Sequence, residues 1–367
     1  MDRVKKCNVN SQIMNKSKTR KSEVYSFISM IFKSFILTLI FWSLALPLSA
    51  EGVITVKGRH IYDPCGEVLI MRGVNEMFIW SSDVTGELTM PEIARTGANT
   101  VRIVWVTDAS NDNATADNLD KALQNAIDNK MFPMPELHDA TGRLDRVPAL
   151  VDYWTRPDIV EILKKHEEYL LLNIANEAGD HNVTASEFRE VYAHAIARIR
   201  ATGLRCPLVI DASGWGQDIT ILQETGPWLL EQDPERNLIF SVHTWWIDDD
   251  GSTDRIINEL QRSVDMELPL IVGEFAPMGV KCKEWFDYKT LMEECQRHGI
   301  GWLAWSWGLA RNGDCELMDM TGGEKRGTFE GLHSWGKEVA VTDPNSIINT
   351  SVRTHYLDHG KLVIKRD

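Results

Sequence analysis

Two glutamates close runs of sequence too apolar to be surface strands. Glu177 follows Leu170-Leu171-Leu172-Asn173-Ile174-Ala175-Asn176, and Glu274 follows Leu268-Pro269-Leu270-Ile271-Val272-Gly273. Taken singly, either reads as a solvated loop carboxylate. At the ends of two strands of one sheet they can converge. A converging pair of carboxyl groups suits the cleavage of a glycosidic bond. One donates a proton to the leaving oxygen; the other attacks the sugar carbon or activates water. A gap of ~5 Å makes the second a nucleophile and retains configuration; ~6.5–9.5 Å leaves room for water and inverts it. Arg102 sits inside Val101–Val106, where an unpaired charge is expensive, and Glu274 is its expected partner. A carboxylate beside an arginine stays ionised, as a nucleophile should. A carboxyl in a more apolar setting, as expected for Glu177, holds its proton longer, as an acid should.

Other polar and aromatic residues end similar runs. His138 follows Glu136-Leu137, and His243 leads into Thr244-Trp245-Trp246. Either histidine alone reads more readily as structural than as catalytic. As metal ligands they lack support, because the chain has neither H-E-x-x-H nor C-x-x-C. Trp80, Trp215, Trp245, Trp305 and Trp307 could be core residues or platforms for the apolar faces of sugar rings. That platform role is assigned to Trp245 and Trp305, and the other three stay open.

The elements that must position these residues recur in order. Eight short apolar runs stand out: Val68–Val74, Thr100–Val106, Met131–His138, Leu170–Asn176, Leu208–Asp211, Leu238–His243, Leu270–Glu274 and Trp302–Trp307. Between them, amphipathic patterns are clearest over Asn118–Lys130, Pro157–Tyr169, Ala185–Thr202, Thr253–Met266 and Tyr288–His298. Apolar strands alternating with half-buried helices imply a parallel sheet covered by helices. Eight units match a (β/α)8 TIM barrel, whose chemistry sits at the C-terminal strand ends. The alternative, an open doubly wound sheet, would carry a Gly-rich loop after its first strand; here Asn75-Glu76-Met77-Phe78 follows. Residues Gly52–Leu69, with Asp63-Pro64-Cys65-Gly66 between two apolar stretches, read as a β-hairpin plugging the barrel floor.

The first 50 residues differ from the rest. Eight basic and two acidic side chains precede or flank a 14-residue apolar run, Phe35–Leu48, which is followed by Ser49-Ala50. That order marks a secretory signal peptide, and the run is shorter than the ~20 residues of a spanning helix. Translation could also begin at Met14 or Met30. Residues 51–367 would form a single catalytic barrel. The whole chain carries −14. Removing a leader of net +6 leaves −20, a balance against nucleic acid or anionic membrane as the main partner. Five cysteines would remain, which permits at most two disulfides and leaves a thiol; Cys282 and Cys315, which follow consecutive runs, are the chosen pair. Neither a linker nor a low-complexity tract suggests an appended module.

The motifs resemble glycoside hydrolase family 5, and within it the bacterial mannanase-like subfamily 8. The matching pieces include Met71-Arg72-Gly73-Val74-Asn75, Gly97-Ala98-Asn99-Thr100-Val101-Arg102, Asn173-Ile174-Ala175-Asn176-Glu177, Ile271-Val272-Gly273-Glu274-Phe275 and Trp302-Leu303-Ala304-Trp305. The resemblance implies a retaining barrel with Glu177 as acid/base and Glu274 as nucleophile. It also implies that Asn176 contacts the sugar 2-hydroxyl, Arg102 orients the nucleophile, His138 and His243 line the site, and Trp305 underlies the reacting sugar. No cofactor or metal is implied. The implied partner is a β-1,4-linked polysaccharide or oligosaccharide, preferably mannan, met by a secreted monomer with no nucleic acid and no stable membrane association. A cellulase or other β-1,4-glucanase of the same family is the first alternative, and an inactive glycan-binding barrel the second. Two departures stand out. Trp245 occupies the position of a family tyrosine that donates to the nucleophile, which leaves the nucleophile's support open. Glu76-Met77-Phe78 stands where related mannanases often carry histidines, which would alter the substrate floor.

Overall fold

The computed structural model describes residues 52–247, 252–279, 281–313 and 315–360. The expected leader lies outside these residues. Ten strands are formed: β1 Thr55–Lys57, β2 His60–Tyr62, β3 Arg72–Glu76, β4 Thr100–Trp105, β5 Phe132–Leu137, β6 Leu172–Asn173, β7 Leu208–Asp211, β8 Leu238–His243, β9 Leu270–Glu274 and β10 Gly301–Ala304. Strands β3 to β10 close into a barrel in the order β10-β3-β4-β5-β6-β7-β8-β9. Every pairing in it is parallel, so the expected TIM barrel is present.

All residues of these eight strands are buried. That is why the strands appear in the sequence as continuous apolar runs instead of alternating ones. Among the described residues, eight α-helices lie between β3 and β10: α1 Thr89–Ala94, α2 Ala116–Asp128, α3 Val147–Trp154, α4 Pro157–Lys165, α5 Ala185–Ala201, α6 Ile219–Gln232, α7 Ser252–Asp265 and α8 Tyr288–His298. Side chains cap the starts of α2, α5, α6 and α8. Thr184 and Glu187 form a reciprocal capping box on α5, and the Asp287 carboxylate accepts from Thr290 N on α8.

The barrel floor is filled as expected, with one change of detail. Ile54 and Ile61 from the N-terminal hairpin pack with the inward-facing Met134, Leu171, Val209, Ile239 and Ile271. The β1–β2 turn is made at Gly58-Arg59, where Gly58 takes a left-handed φ of +56°. Asp63–Gly66 forms a second turn that brings Val68 back against Tyr62. Val68 therefore belongs to the floor, and the first barrel strand begins later, at Arg72. The last barrel strand ends at Ala304, three residues earlier than its apolar run, which places Trp305 in the connection above the barrel.

Cys282 and Cys315 are joined, tying the loop after β9 to the loop after β10. Cys206 and Cys295 are buried free thiols, so two stand among the described residues where at least one was expected. Among the described residues, no helix is long and apolar enough to cross a membrane.

Candidate active site

Arg102 organises the mouth of the barrel. It is fully buried on β4, and its guanidinium donates five hydrogen bonds. Nε reaches Asn173 Oδ1 at 2.9 Å, Nη1 reaches Asn75 Oδ1 at 3.0 Å and Glu274 Oε1 at 2.7 Å, and Nη2 reaches Asn176 Oδ1 at 2.8 Å and Asp211 Oδ2 at 3.1 Å. One side chain thus joins residues from β3, β6, β7 and β9. Burial works against its charge, but the carboxylates of Glu136, Asp211 and Glu274 outweigh that and hold it more firmly protonated than usual.

The two glutamates converge beside it. One carboxylate oxygen from each, together with a ring nitrogen of His243, lie within 4.8 Å of one another. Their environments differ. Burial pushes the Glu177 carboxyl up, and the nearby Glu274 charge adds to this, so Glu177 retains its proton above the ordinary range. Burial also acts on Glu274, but the opposing charges of His243 and Arg102 prevail and hold it below its usual value. The two neighbouring carboxyl groups are thus shifted in opposite directions, the arrangement needed for an acid and a nucleophile.

Glu177 is held in an uncommon conformation, with φ +46°. Such backbone costs of order 1–3 kcal/mol for a non-glycine residue and persists where its surroundings fix it. Here the Glu177 N–H donates to Asp211 Oδ2 at 3.2 Å and its carbonyl accepts from Gly142 N at 2.9 Å.

His243 sits between the carboxylates. Its Nδ1 lies 2.7 Å from Glu177 Oε1 and 3.3 Å from Glu274 Oε2, and its Nε2 lies 3.4 Å from Asp211 Oδ2. Burial lowers its basicity, but Glu274 and Asp211 raise it further, to a pKa of about 10; the ring is an imidazolium at neutral pH. Two glycines make room for it. A Cβ on Gly216, whose φ is +77°, would meet the ring at 2.7 Å, and one on Gly273 would meet Nε2 at 2.8 Å. His138 is bound at Nδ1 by Glu136 Oε1 at 2.8 Å, and its Nε2 lies 3.3 Å from Asn176 Nδ2.

The cleft above these groups encloses about 700 Å³, and Trp215, Trp245, Trp305 and Met77 are among its lining residues. Trp305 donates its indole N–H to Asn312 Oδ1 at 2.7 Å and stacks on His138 at 6.0 Å. Trp80 meets His138 edge-on and is half exposed. Trp307 is core: it is fully buried, with its N–H donated to Gly327 O. Trp245 lines the cleft, but its indole N–H points to Glu177 Oε1 at 3.2 Å, not to Glu274. The eight candidate residues are therefore gathered in one place.

Two further expectations meet the structure here. Of the residues that replace histidines, Met77 lines the cleft. Glu76 does not: it is buried under the loop after β10 and accepts the backbone N–H groups of Gly308, Leu309 and Ala310 at 2.9, 2.9 and 3.2 Å. Asp211 and Asn75 were not among the candidate residues, yet both bind Arg102. Asp211 carried the same signal as the glutamates, a carboxylate closing an apolar strand.

A (β/α)8 barrel with two buried carboxyl groups shifted in opposite directions at its C-terminal strand ends is built for glycoside hydrolysis. The cellulase family of glycosyl hydrolases, family 5, matches residues 62–311, and the chain belongs to it as a glycoside hydrolase. Among its relatives, the mannan endo-1,4-β-mannosidase of Salipaludibacillus agaradhaerens is 32% identical over 77% of this chain and 89% of its own length. The enzyme of the same name from Cellvibrio japonicus is 31% identical over 83% of this chain and 69% of its own. The mannohexaose complex of Thermomonospora fusca β-mannanase superposes with a TM-score of 0.73 at 29% identity, covering 83% of this chain and 99% of that one.

Proposed function

We propose that this chain is a secreted, retaining endo-β-1,4-mannanase: a monomeric catalytic barrel from residue 51 onward, exported by its leader. The single observation that carries the mechanism is the pair Glu177 and Glu274, with carboxylate oxygens within 4.8 Å and opposite pKa shifts. That separation favours direct attack over attack by an interposed water. The relatives' names and the mannohexaose-bound neighbour support mannan as the polymer.

Glu274, ionised and held by Arg102, attacks the anomeric carbon as the glycosidic C–O bond breaks. The Glu177 proton passes to the departing oxygen. Water then attacks the glycosyl ester, gives a proton back to Glu177 and releases Glu274. Asn176, held by Arg102 and beside His138, is placed to contact the sugar, and Trp305 provides an apolar floor.

A substrate panel tests the assignment. Galactomannan and glucomannan should be hydrolysed faster than carboxymethylcellulose, and the reverse order would make the chain a cellulase. NMR of the first-formed reducing ends should show the β anomer; an initial α anomer would mean inversion. Mature protein recovered from the culture medium should begin at Glu51, and retention of the leader would refute export by cleavage.

A further inference from the structure

Trp245 stands where the family resemblance places a tyrosine that serves the nucleophile. In this chain its N–H goes elsewhere. The Glu177 Oε1 atom accepts two N–H groups, from His243 Nδ1 at 2.7 Å and from Trp245 Nε1 at 3.2 Å. Among the described residues, no protein group is hydrogen-bonded to Oε2, and the carboxyl group lines the cleft. The Nδ1 of His243 is an N–H donor at neutral pH, because the ring is protonated.

A neutral carboxylic acid has one carbonyl-like oxygen, with two lone pairs to offer, and one hydroxyl oxygen. An oxygen that receives two N–H groups uses both lone pairs. A proton on that oxygen would also be aimed into donors. The acidic hydrogen therefore belongs on the other oxygen.

We propose that Trp245, together with His243, fixes the proton of Glu177 on Oε2, facing the cleft, and that Trp245 is thereby a positioning residue for the proton donor and not for the nucleophile. This rests on the reading of Glu177 as the acid. The nucleophile needs no tyrosine, because Glu274 already accepts from Arg102 Nη1 at 2.7 Å and has His243 Nδ1 at 3.3 Å from its other oxygen. The indole N–H also acts after the proton has left. A hydrogen bond to an ionised carboxylate is roughly twice as strong as one to a neutral group, so Trp245 favours the state in which Glu177 has already donated.

The test separates proton donation from every other role by varying the leaving group. Aryl β-mannosides and mannooligosaccharides are compared in kcat/KM, which reports bond cleavage in the first step. A dinitrophenolate leaves without protonation; an alkylphenol or a sugar needs it. In W245F, kcat/KM should fall about tenfold for the poor leaving groups, the loss of one charge-assisted bond of ~1.4 kcal/mol. It should stay within about threefold of the parent for the dinitrophenyl substrate. The basic limb of the pH profile should move up by roughly 0.5–1 unit, because the ionised form has lost a donor. A chain carrying benzothienylalanine at position 245, which keeps the ring shape and lacks only the N–H, should behave like W245F. An equal loss for all leaving groups would assign Trp245 to the nucleophile, and a rise in KM with no change in the pH limb would make it a sugar platform; either overturns the proposal. E177Q on the same panel serves as the reference. If E177Q itself shows no dependence on the leaving group, the assignment of the acid fails. If E177Q shows it and W245F does not, only the role of Trp245 fails.

Discussion

Replacing Arg102 with lysine keeps the positive charge and removes the fork that distributes it. The guanidinium makes five hydrogen bonds from three nitrogens in a site sealed from solvent. A lysine ammonium has three donors on one nitrogen, so at least two of the five acceptors lose their partner. Each buried acceptor left unsatisfied costs about 1–3 kcal/mol, so with two of them R102K should lose roughly 2–6 kcal/mol of stability in urea unfolding. The chemical effect is separate. Glu274 Oε1 loses a charge-assisted bond of 2.7 Å, which is worth about 1.5–3 kcal/mol, or roughly one to two pKa units. The Glu274 carboxyl is held below its usual range in the fold, so its ionised form contributes stability above the unfolded pKa that is lost as pH falls through the folded one. In R102K that depression shrinks. The acidic limb of kcat/KM, which reports ionisation of the nucleophile in the free enzyme, should therefore move up by about one to two pH units, measured on mannohexaose at temperatures where the variant remains folded. A loss of stability with an unmoved acidic limb would refute the reasoning, because Arg102 would then be a structural cation only.

Two more outcomes follow from groups around the site. Burial lifts Glu76 to a pKa of about 7. Between pH 4.5 and 7 the folded chain keeps a proton that the unfolded chain has released, so this group makes stability fall as pH rises, by ~1.4 kcal/mol per unit. E76Q should remove that slope, gaining up to about 3 kcal/mol relative to the parent between pH 4.5 and 7 in paired urea melts; a constant difference across that range would contradict the buried, raised carboxyl. The Cys282–Cys315 bridge spans 33 residues, and opening it in C282S/C315S should cost about 3–4 kcal/mol by chain entropy. Because Lys281 and Cys315 line the cleft, KM for polymer should rise with little change in kcat, and an unaltered KM would separate the bridge from the cleft wall.

The chemistry of this barrel was more legible than its local geometry. β7, β8 and β9 match their apolar runs to the residue, because each run is buried on both faces and stops where a polar side chain reaches the barrel mouth. β6 is only Leu172–Asn173, although its run extends to Asn176. Past Asn173 the regular pairing stops but the contacts with both neighbours continue, from Ile174 N to Val209 O on β7 and from Asn176 N to Leu137 O at the end of β5. α6 was hidden by its own Gly226-Pro227, which ordinarily breaks a helix; a Cβ on Gly226 would come within 2.7 Å of the Leu268 side chain, so glycine lets α6 pack closely there. Glu177 and Glu274 were visible as charges closing apolar strands. Asn75 was not, because its contact with Arg102 depends on barrel closure bringing β3 beside β4 and β10. The target of Trp245 could not be read from its position in the chain, since the direction of an indole N–H is decided by side-chain packing.

Glu274 as the nucleophile can be tested directly. Incubation with an activated 2-deoxy-2-fluoro-β-mannoside, which slows both steps but the second more, should trap a covalent glycosyl-enzyme. Mass spectrometry of the digested protein should find one added sugar, on the peptide and the residue Glu274, with none formed in E274A. A label on Glu177, or complete turnover to α-configured product with no adduct, would contradict it.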